Sequence, residues 1–456
     1  MLKEDKGFIL VYGDAFIDYI ADDVTNTSFT KYMGGATVNV AAGISRIGAP
    51  SALITITGDD EGSEFVREGL AIEGVNLDYA VFNPAKRVSG VYVHLTEACE
   101  RIFKDYVDET PDLQVEASQL EEAAFKHASA LTVCSGTMFH PTALETTRTA
   151  VNMAKDKGVI IAMDANIRPL RWSSEAICRE TITSFFEDVD ILKVTDDELF
   201  FLTETTNLED GIAQLDSYLI PIILITVGEN GTYAVLNGEV IHVPTEKVIP
   251  VDTTGAGDAF MAGVLHDVHY NGLPTTQEEL MRCVTFGNKL GALAATKAGA
   301  LTALPYYEDI KHLVEPNYDV LVEGQLFFGG VKDAKTAFEQ EHVDVVIDVR
   351  VNGLTTEEQT DAPYAYKHVP IADEDSDIAS SIQKVAQEIA GAYENGQKVY
   401  FHCGSGGGRA GVAATAVLME LGLADSIEEA EQAVKKARPE VTIRPNMAAA
   451  LKKLYK

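Results

Sequence analysis

The sequence predicts the α/β fold class, with a mostly parallel sheet and helices on both of its faces. From residue 8 onward, short β-rich runs such as FILVYG, LTVCSG and VIIAMDAN alternate with helical stretches such as TVNVAAGISRIG. A second series of the same kind begins near Asn317, with VLVEGQLFFGG, DVVIDVR and KVYFHC as strands. In sheets of this type, ligands bind beyond the carboxyl ends of the strands.

Two domains are expected, because a length of 456 residues favours two or three domains over one. The first series ends after KAGALTALP, where Pro305 is followed by an acidic and less patterned segment. We therefore assign residues 1–314 to one domain and residues 315–456 to a second, smaller one. A segment of about 140 residues is long enough to form its own core.

The composition excludes several classes of function. The formal net charge of −34 makes nucleic acid and anionic membranes unsuitable partners, because binding to either requires clustered Lys and Arg. No apolar run reaches the ~18 residues of a membrane span, and the apolar stretch near the start is too short for a signal sequence. Five widely spaced cysteines indicate reduced thiols. These features predict a cytoplasmic protein.

The stretch DTTGAGDAFMAGVL, residues 252–265, combines a glycine turn with an acid and an apolar helix. Gly255 and Gly257 permit close approach of the backbone, and the free N–H groups at the start of the helix attract an anion. A carboxylate at Asp258 would normally be repelled there, so its presence suggests that it accepts the proton of an attacking hydroxyl. An N-capping Asp in a glycine turn is the alternative.

These residues resemble the ribokinase-like (PfkB) carbohydrate kinases. The N-terminal glycine signature of that family is matched by GGATVNVAAGISRIGAPSALITITGDDEGSEF at 34–65, and its C-terminal signature by the Asp258 loop. The resemblance spans roughly residues 7–310 and implies a parallel-sheet sandwich with a β lid. It implies ATP and Mg²⁺ as cofactors and leaves K⁺ as a further candidate.

The same resemblance assigns the sugar-phosphorylating residues. Asp258 would be the catalytic base, and the anion hole would comprise Gly255, Ala256 and Gly257. Sugar hydroxyls would be bound by Asp18, Gly34, Gly35 and Asn39. For Asp18 and Asn39, a cap or turn role is the alternative.

Three further stretches are similar to the fructokinase type within that family. DANIRPLRW points Arg168 toward the substrate or phosphate, with a surface salt bridge as the alternative. KVTDDELFFLT resembles an Asn-x-x-Glu motif in which Thr195 replaces Asn, and its Glu198 would hold Mg²⁺ through water. By the same likeness, ITVGENG would form a turn on the nucleotide side, with an ordinary tight turn as the alternative. The residues assigned to the nucleotide are Lys193, Thr226, Gly228, Gly231 and Asn288.

Two polar segments, residues 19–33 and 86–108, resemble the substrate lid of these kinases. In the family this lid often mediates dimers. A homodimer formed through the lid is therefore a candidate assembly.

The stretch YFHCGSGGGRAG, residues 400–411, forms a second glycine loop between a buried strand and an alanine-rich helix. A loop held at both ends in this way differs from a flexible linker. Its N–H groups can surround one tetrahedral anion, and Arg409 can clamp two oxygens of that anion. The same field favours thiolate at Cys403, which is the nucleophilic form. The predicted phosphate loop is Gly404, Ser405, Gly406, Gly407 and Gly408.

An acid is needed to protonate the leaving group, and YKHVPIADED supplies candidates. Asp373 follows a strand and lies thirty residues before Cys403. Glu374 and Asp375 compete for the same role. A solvated acidic loop is the alternative for all of them.

The second glycine loop resembles that of the dual-specificity and tyrosine phosphatases, in which His-Cys is followed by five residues and then Arg. Here these are His402, Cys403 and Arg409, and the likeness covers residues 317–456. Family members usually carry Ser or Thr after the arginine, where it helps to release the thiolate. This chain has Ala410 instead, which favours slow turnover or phosphate binding alone.

The leading hypothesis is a bifunctional enzyme that joins an ATP-dependent, fructokinase-like sugar kinase to a cysteine-dependent phosphatase. Its partners would be a small-molecule sugar and a sugar phosphate. One alternative is a sugar kinase regulated by a phosphate-binding module with weak catalytic activity. Another is a protein phosphatase fused to a kinase.

Overall fold

The computed structural model describes residues 7–96, 101–314, 318–355, 359, 362, 364–373 and 378–455. The chain forms two compact units, which divide between Ile310 and Lys311. This division falls inside the helix Tyr307–Val314, and the domain boundary after residue 314 stays a prediction. Within the described ranges, no helix is long and apolar enough to cross a membrane.

Among its described residues, the first unit contains an eight-stranded main sheet, a four-stranded sheet and a two-stranded sheet. Its strands are β1 (Phe8–Tyr12), β2 (Phe16–Ala21), β3 (Phe29–Gly34), β4 (Ser51–Ile54), β5 (Ile56–Thr57), β6 (Val81–Phe82), β7 (Ser89–Leu95), β8 (Arg101–Val107), β9 (Ala128–Cys134), β10 (Ile160–Asp164), β11 (Ile191–Thr195), β12 (Ile222–Thr226), β13 (Thr232–Leu236) and β14 (Glu239–Val243). The order in the main sheet is β14-β13-β12-β11-β10-β9-β1-β4. The strands from β12 to β4 in this order are parallel, and β13 and β14 form an antiparallel edge.

Helices cover both faces of this sheet, which explains why its strands are apolar on both sides. They are α1 (Ala36–Arg46), α2 (Glu61–Ile72), α3 (Glu122–His127), α4 (Pro141–Lys157), α5 (Glu175–Thr183), α6 (Asp196–Thr203), α7 (Leu208–Leu215), α8 (Ala256–Asn271), α9 (Gln277–Ala295) and α10 (Tyr307–Val314). Helices α1 and α9 both pack on α8. On the other face, strand residues such as Leu131 and Leu192 share a core with α4, α5 and α6.

A separate four-stranded sheet, in the order β3-β2-β7-β8, is called the lid sheet below. Strand β3 leads directly into α1 through Gly35, whose φ of 100° is in the region that favours glycine. At the other end, β1 ends at Tyr12 and β2 begins at Phe16, so the lid sheet follows directly after the carboxyl end of β1.

The second unit contains a five-stranded sheet in the order β15-β16-β19-β17-β18. Its elements are β15 (Asp319–Val322), β16 (Leu326–Gly330), α11 (Ala334–Glu341), β17 (Val345–Asp348), β18 (Ala365–His368), α12 (Ile378–Glu394), β19 (Val399–Cys403), α13 (Arg409–Glu420), α14 (Ile427–Ala437) and α15 (Pro445–Leu454). Among the strands that the structure describes in this unit, β15 alone pairs in the antiparallel sense. Strand β19 is the middle strand of this sheet and is buried at every residue. The loop that follows it therefore begins at the middle of the carboxyl edge of the sheet.

Candidate active sites in the two units

The first candidate site is the N-terminal turn of α8. Gly255 precedes the helix with φ 81°, and a Cβ at this position would lie 2.9 Å from the Cα of Ala300, so only glycine fits. The first hydrogen bond within the helix runs from the N–H of Ala259 to the carbonyl of Gly255, at 2.9 Å. The N–H groups of Gly257 and Asp258 therefore have no acceptor within the helix and are available to an anion.

One part of the predicted anion hole differs from expectation. The N–H of Ala256 donates to the carbonyl of Thr253 at 3.1 Å, because residues 253–256 close a tight turn. The amide of Ala256 is thus already engaged in the turn, whereas that of Gly257 is not.

Asp258 lies in the first turn of α8 and is half-buried. Its Oδ2 accepts a hydrogen bond of 2.8 Å from Nδ2 of Asn39, on α1. Burial raises the pKa of Asp258, while the Asn39 hydrogen bond and the positive charges of Lys193 and Arg168 act in the opposite direction. A carboxylate with a raised pKa is a stronger base, which suits proton abstraction from a hydroxyl.

Asn39 carries an unused acceptor next to this base. Its side chain is only 4% exposed, and its Oδ1 finds no hydrogen-bond partner in the described part of the chain. A buried acceptor of this kind is unfavourable unless a ligand donor satisfies it. The geometry therefore suits a ligand hydroxyl beside Asp258.

Asp18 and Gly34 are diagonal neighbours on the lid strands β2 and β3, whose register pairs Asp18 with Tyr32 and Gly34 with Phe16. A Cβ on Gly34 would come within 2.4 Å of Oδ1 of Asp18, so the glycine makes room for the carboxylate. Asp18 lines a cavity of about 290 Å³ together with Tyr32, Thr254 and Ala300. The cavity thus lies between the lid sheet and the segment that leads into α8.

Lys193 and Asp164 form a buried ion pair next to the predicted anion hole. They are direct neighbours in the register of β10 and β11, and Nζ of Lys193 lies 3.0 Å from Oδ1 of Asp164. Burial raises the pKa of Asp164 to about 6. Burial acts against the charged form of Lys193, but the nearby carboxylates, Asp164 first, raise its pKa. A Cβ on Gly257 would lie 3.3 Å from this ammonium, which places a fixed positive charge beside the anion hole.

Glu198 joins two loops at the carboxyl edge of the sheet. Its Oε1 accepts from the N–H of Ile167 at 2.7 Å, and its Oε2 accepts from the N–H of Thr195 at 2.9 Å. Thr195 caps α6 in return, so the Thr in this motif acts as a helix cap. Arg168 is exposed and follows directly after Ile167, which means that Glu198 also fixes the turn that carries this arginine.

Of the predicted nucleotide residues, Lys193 lies on β11, and the others lie at the end of β12, in the turn after it or on α9. The turn between β12 and β13 is closed by the N–H of Gly231 donating to the carbonyl of Gly228 at 3.1 Å, and Thr226 ends β12 just before it. The hydroxyl of Thr232 donates to Oδ1 of Asn288 at 2.7 Å, which ties α9 to this turn. The side chain of Asn288 is buried and also donates to the carbonyl of Val243 at 3.0 Å, so it shapes the edge of this region.

The second candidate site is the loop between β19 and α13. Gly406 has φ 85°, and a Cβ there would lie 2.7 Å from the carbonyl carbon of Gly329. Carbonyl groups of the loop point outward, since those of Gly404 and Gly407 accept from the N–H groups of Val331 and Thr442 at 3.2 and 3.0 Å. From Gly404 to Gly408, no N–H group donates to another backbone carbonyl of the described chain. The loop is therefore an amide cradle for an anion.

Arg438 supports this cradle from outside, and the sequence interpretation did not assign it a role. It is 4% exposed, and its guanidinium donates to the carbonyl of Ser405 at 3.1 Å and to Asp319 at 2.8 Å. The only signal in the sequence was its position in AVKKARP. A buried arginine bonded to a loop carbonyl holds the backbone in the anion-binding conformation.

Cys403 ends β19 at the base of the cradle and is 4% exposed. His402 is buried on the preceding residue, and its Nδ1 lies 3.8 Å from Oδ1 of Asp348. Burial lowers the pKa of His402 and so favours the neutral ring, although Asp348 acts in the opposite direction. Asp348 and its partner Arg350, at 2.7 Å, were also missed by the sequence interpretation, although both lie in VIDVR.

Arg409 and Asp373 are in direct contact across the mouth of the cradle. Nη2 of Arg409 lies 2.5 Å from Oδ1 of Asp373, and Nε donates to the carbonyl of Ile371 at 3.2 Å. Arg444 approaches the same Asp373 oxygen at 3.4 Å. The competing acids, Glu374 and Asp375, lie outside the described residues.

An α/β sheet with a half-buried carboxylate at a helix N-terminus, unpaired backbone N–H groups beside it and a covering β sheet is typical of a phosphotransferase site. Comparison with known protein families gives the same class of protein. The chain belongs to the pfkB family of carbohydrate kinases, whose family model matches residues 6–306. Residues 326–456 match the dual specificity phosphatase catalytic domain. The two family resemblances and the α/β ribokinase-like fold inferred from the sequence are thereby confirmed.

Several relatives cover the kinase part of the chain. A fructokinase of Klebsiella pneumoniae is 35% identical over 307 residues, which make up 67% of this chain and 99% of that protein. The crystal structure of Vibrio cholerae O395 fructokinase, bound to fructose, ADP and calcium ion, is 29% identical with a TM-score of 0.60 and covers 68% of this chain and 100% of that one. Xylella fastidiosa fructokinase with bound ATP is 26% identical with a TM-score of 0.62, at the same coverage.

Proposed function

We propose that the first unit transfers the γ-phosphoryl group of ATP to a hydroxyl of a sugar, with fructose as the first candidate. The observation that carries this proposal is the Asp258 carboxylate, which lies at the N-terminal turn of α8 and accepts a hydrogen bond from Asn39. Relatives that are named fructokinase support the choice of sugar.

Each step of the transfer has a group of this chain assigned to it. Asp258 takes the proton as the sugar oxygen forms its bond to phosphorus and the bond to the ADP oxygen breaks. The N–H of Gly257 and the ammonium of Lys193 stabilise the charge on the transferred group. Oδ1 of Asn39 and the carboxylate of Asp18 accept hydrogen bonds from sugar hydroxyls, which orients the reacting one.

Mg²⁺ would neutralise part of the phosphate charge during transfer. Both oxygens of Glu198 accept one backbone N–H each, and a carboxylate has about four lone-pair sites. Glu198 can therefore still accept hydrogen bonds from metal-bound water, which fits the predicted role through water. Binding of K⁺ as a further cofactor of the kinase stays a prediction.

We propose that the second unit hydrolyses a phosphate monoester, with a sugar phosphate as the candidate substrate. The Cys403 thiolate attacks phosphorus, the ester bond breaks, and Asp373 protonates the leaving alkoxide. Water then cleaves the cysteinyl phosphate and restores the thiolate. Asp373 contacts Arg409 at 2.5 Å, so a bound phosphate must first replace this carboxylate on the guanidinium.

The two activities are expected to act on different phosphate positions. If both acted on the same monophosphate, their sum would be hydrolysis of ATP. A bisphosphate or a phosphate on another carbon avoids this cycle. Arg444 favours such a substrate, because it adds a second cation next to Asp373.

Ala410 supports a second candidate function, in which the second unit senses phosphate and regulates the kinase. The methyl group is fully buried in the first turn of α13, and it supplies no hydroxyl to the thiolate. A phosphocysteine that forms and does not turn over, together with altered kinase affinity, would favour this function over hydrolysis.

A panel of sugars, nucleosides and sugar phosphates, with and without ATP and Mg²⁺, tests both activities when ADP and phosphate are followed separately. Asp258→Asn should lower sugar phosphorylation by about 10²–10⁴-fold and leave phosphatase activity intact. Cys403→Ser should abolish phosphatase activity and leave sugar phosphorylation intact. ADP formation without sugar selectivity, or full phosphatase activity in Cys403→Ser, would contradict the respective proposal.

We also propose that the lid sheet forms a homodimer. It exposes apolar side chains on β3 and β8, and Tyr32, Ile102 and Tyr106 are 37%, 49% and 50% exposed. Light scattering on the wild type and on Ile102→Glu tests this assembly, since the charged variant should be monomeric. A wild type that is monomeric at micromolar concentration would exclude it.

A further inference from the structure

Arg171 lies among aromatic rings that come from different parts of the first unit. Its guanidinium carbon is 4.3 Å from the ring centroid of Phe139, 5.3 Å from that of Tyr106 and 5.6 Å from that of Phe16. Phe16 belongs to β2 and Tyr106 to β8, whereas Phe139 follows β9 of the main sheet. One side chain thus contacts two strands of the lid sheet and one loop of the main sheet.

The same arginine is joined to the turn that carries Arg168. The N–H of Arg171 donates to the carbonyl of Arg168 at 2.9 Å, which closes a 3-10 turn after β10. Arg171 and Arg168 therefore belong to the same closed turn of backbone. Burial raises the pKa of Asp14, which precedes β2, to about 6, and the positive charges of Lys86 and Arg171 act in the opposite direction.

We propose that Arg171 is a positioning residue that couples the lid sheet to the turn bearing Arg168. When the lid lies over the sugar site, the rings of Phe16 and Tyr106 hold the guanidinium, and the Arg168 turn is held with it. When the lid moves away, Arg171 loses two of its three ring contacts. This proposal rests on the proposed sugar kinase activity.

A planar guanidinium suits this role better than an ammonium would. It can stack on several ring faces at once, and it gives up less hydration when it does so. The contacts are weak individually, so they can break and re-form in each catalytic cycle.

The neighbouring residue offers a direct reporter. Trp172 is the single tryptophan of the chain, is half-buried, and lines an open cavity of about 500 Å³ together with Arg171 and Phe139. Movement of the lid against Arg171 should therefore change the emission of Trp172.

The test combines steady-state kinetics with Trp172 emission. Arg171→Ala should raise the KM for fructose by roughly tenfold, because lid docking is weakened, and leave the KM for ATP within about twofold. The fructose-induced change in Trp172 emission should be strongly reduced in this variant. Arg148→Ala is the matched control, since Arg148 lies on α4 and its guanidinium carbon is 4.6 Å from the ring centroid of Phe185, which is not a lid residue. It should change neither measurement.

A double-mutant cycle with Tyr106→Ala distinguishes loss of the contact between Arg171 and Tyr106 from general misfolding of a variant. If the two side chains act together, the double variant should show about the same KM for fructose as Arg171→Ala alone. Additive effects, or equal losses in Arg148→Ala, would overturn the proposal.

Acrylamide quenching of Trp172 without sugar separates this inference from the proposed function. Arg171→Ala and Tyr106→Ala should each increase quenching, and their effects should not add. A wild type that phosphorylates no sugar rejects the proposed function, whereas quenching that is unchanged in both variants rejects the coupling through Arg171.

Discussion

The side-chain amide of Asn39 donates a hydrogen bond of 2.8 Å to Oδ2 of Asp258, across 219 positions of sequence. This contact ties the start of α1, which follows the lid sheet, to the first turn of α8. The contact also lowers the pKa of Asp258, because a hydrogen-bond donor to a carboxylate stabilises its charged form.

Replacing Asn39 by Ala should move the acidic limb of the kinase pH profile to higher pH. Burial already raises the pKa of Asp258, and the base works only when it is deprotonated, so activity falls as the pH drops through this pKa. Loss of the Asn39 donor should raise the pKa further, by about one unit. The measurement is kcat/KM against pH, with saturating ATP.

Asn271 provides the matched control for this shift. It donates to Asp267 at 2.8 Å near the other end of α8, so Asn271→Ala breaks a similar pair away from the site. Its pH profile should match the wild type. An acidic limb in Asn39→Ala that stays in place or moves to lower pH would contradict the assigned role.

Replacing Lys193 by Met should destabilise the first unit as well as remove its activity. Lys193 and Asp164 are 4% and 5% exposed, and the variant leaves a buried carboxylate without its cation. A loss of about 3–5 kcal/mol in the free energy of unfolding is expected. Urea unfolding followed by Trp172 emission reports this unit.

The double variant Asp164→Asn with Lys193→Met should recover much of that stability, because no buried charge remains. Lys155→Met breaks the exposed pair with Asp188 and should cost at most about 1 kcal/mol. If Lys193→Met and Lys155→Met lower the free energy of unfolding equally, the buried pair contributes no more to stability than the exposed pair, which would contradict this prediction.

Replacing Ala410 by Ser should accelerate phosphatase turnover. A hydroxyl in the first turn of α13 can donate to the departing Cys403 thiolate, and a hydrogen bond to a charged group is worth about 1.5–3 kcal/mol, or about 10–100-fold in rate. Steady-state phosphate release should rise, while the initial burst changes little. The double variant with Cys403→Ser should be inactive, and a rate in Ala410→Ser that equals the wild type would contradict the assignment.

Replacing Asp373 by Asn should separate substrates by their leaving group. Alkyl phosphates, whose alkoxide needs a proton, should slow by about 10²–10⁴-fold, and aryl phosphates with acidic phenols much less. Inorganic phosphate should inhibit the variant more strongly, because Arg409 no longer holds the carboxylate. Arg444→Gln, which breaks only the 3.4 Å contact, should leave the leaving-group dependence unchanged. Equal losses for both substrate types in Asp373→Asn would exclude Asp373 as the acid.

The glycine motifs could be predicted from the sequence because their requirements are local. Gly255 and Gly406 adopt φ values of 81° and 85° that other residues rarely adopt, and each allows a close approach of backbone. Cys403 and Arg409 are also six positions apart, so the loop alone brings them to one anion. The class of fold was predictable for a similar reason, since alternation of strands and helices is visible in short windows.

Contacts between distant residues were decided only by the tertiary structure. Strand order makes Asp164 and Lys193 neighbours, packing of α1 on α8 joins Asn39 to Asp258, and the lid sheet brings Tyr106 to Arg171. Even the hydrogen bond from the N–H of Ala256 to the carbonyl of Thr253 depends on the conformation of the turn in the folded chain. Many chain arrangements satisfy the same local pattern, and only the packing of the whole unit selects which distant side chains meet.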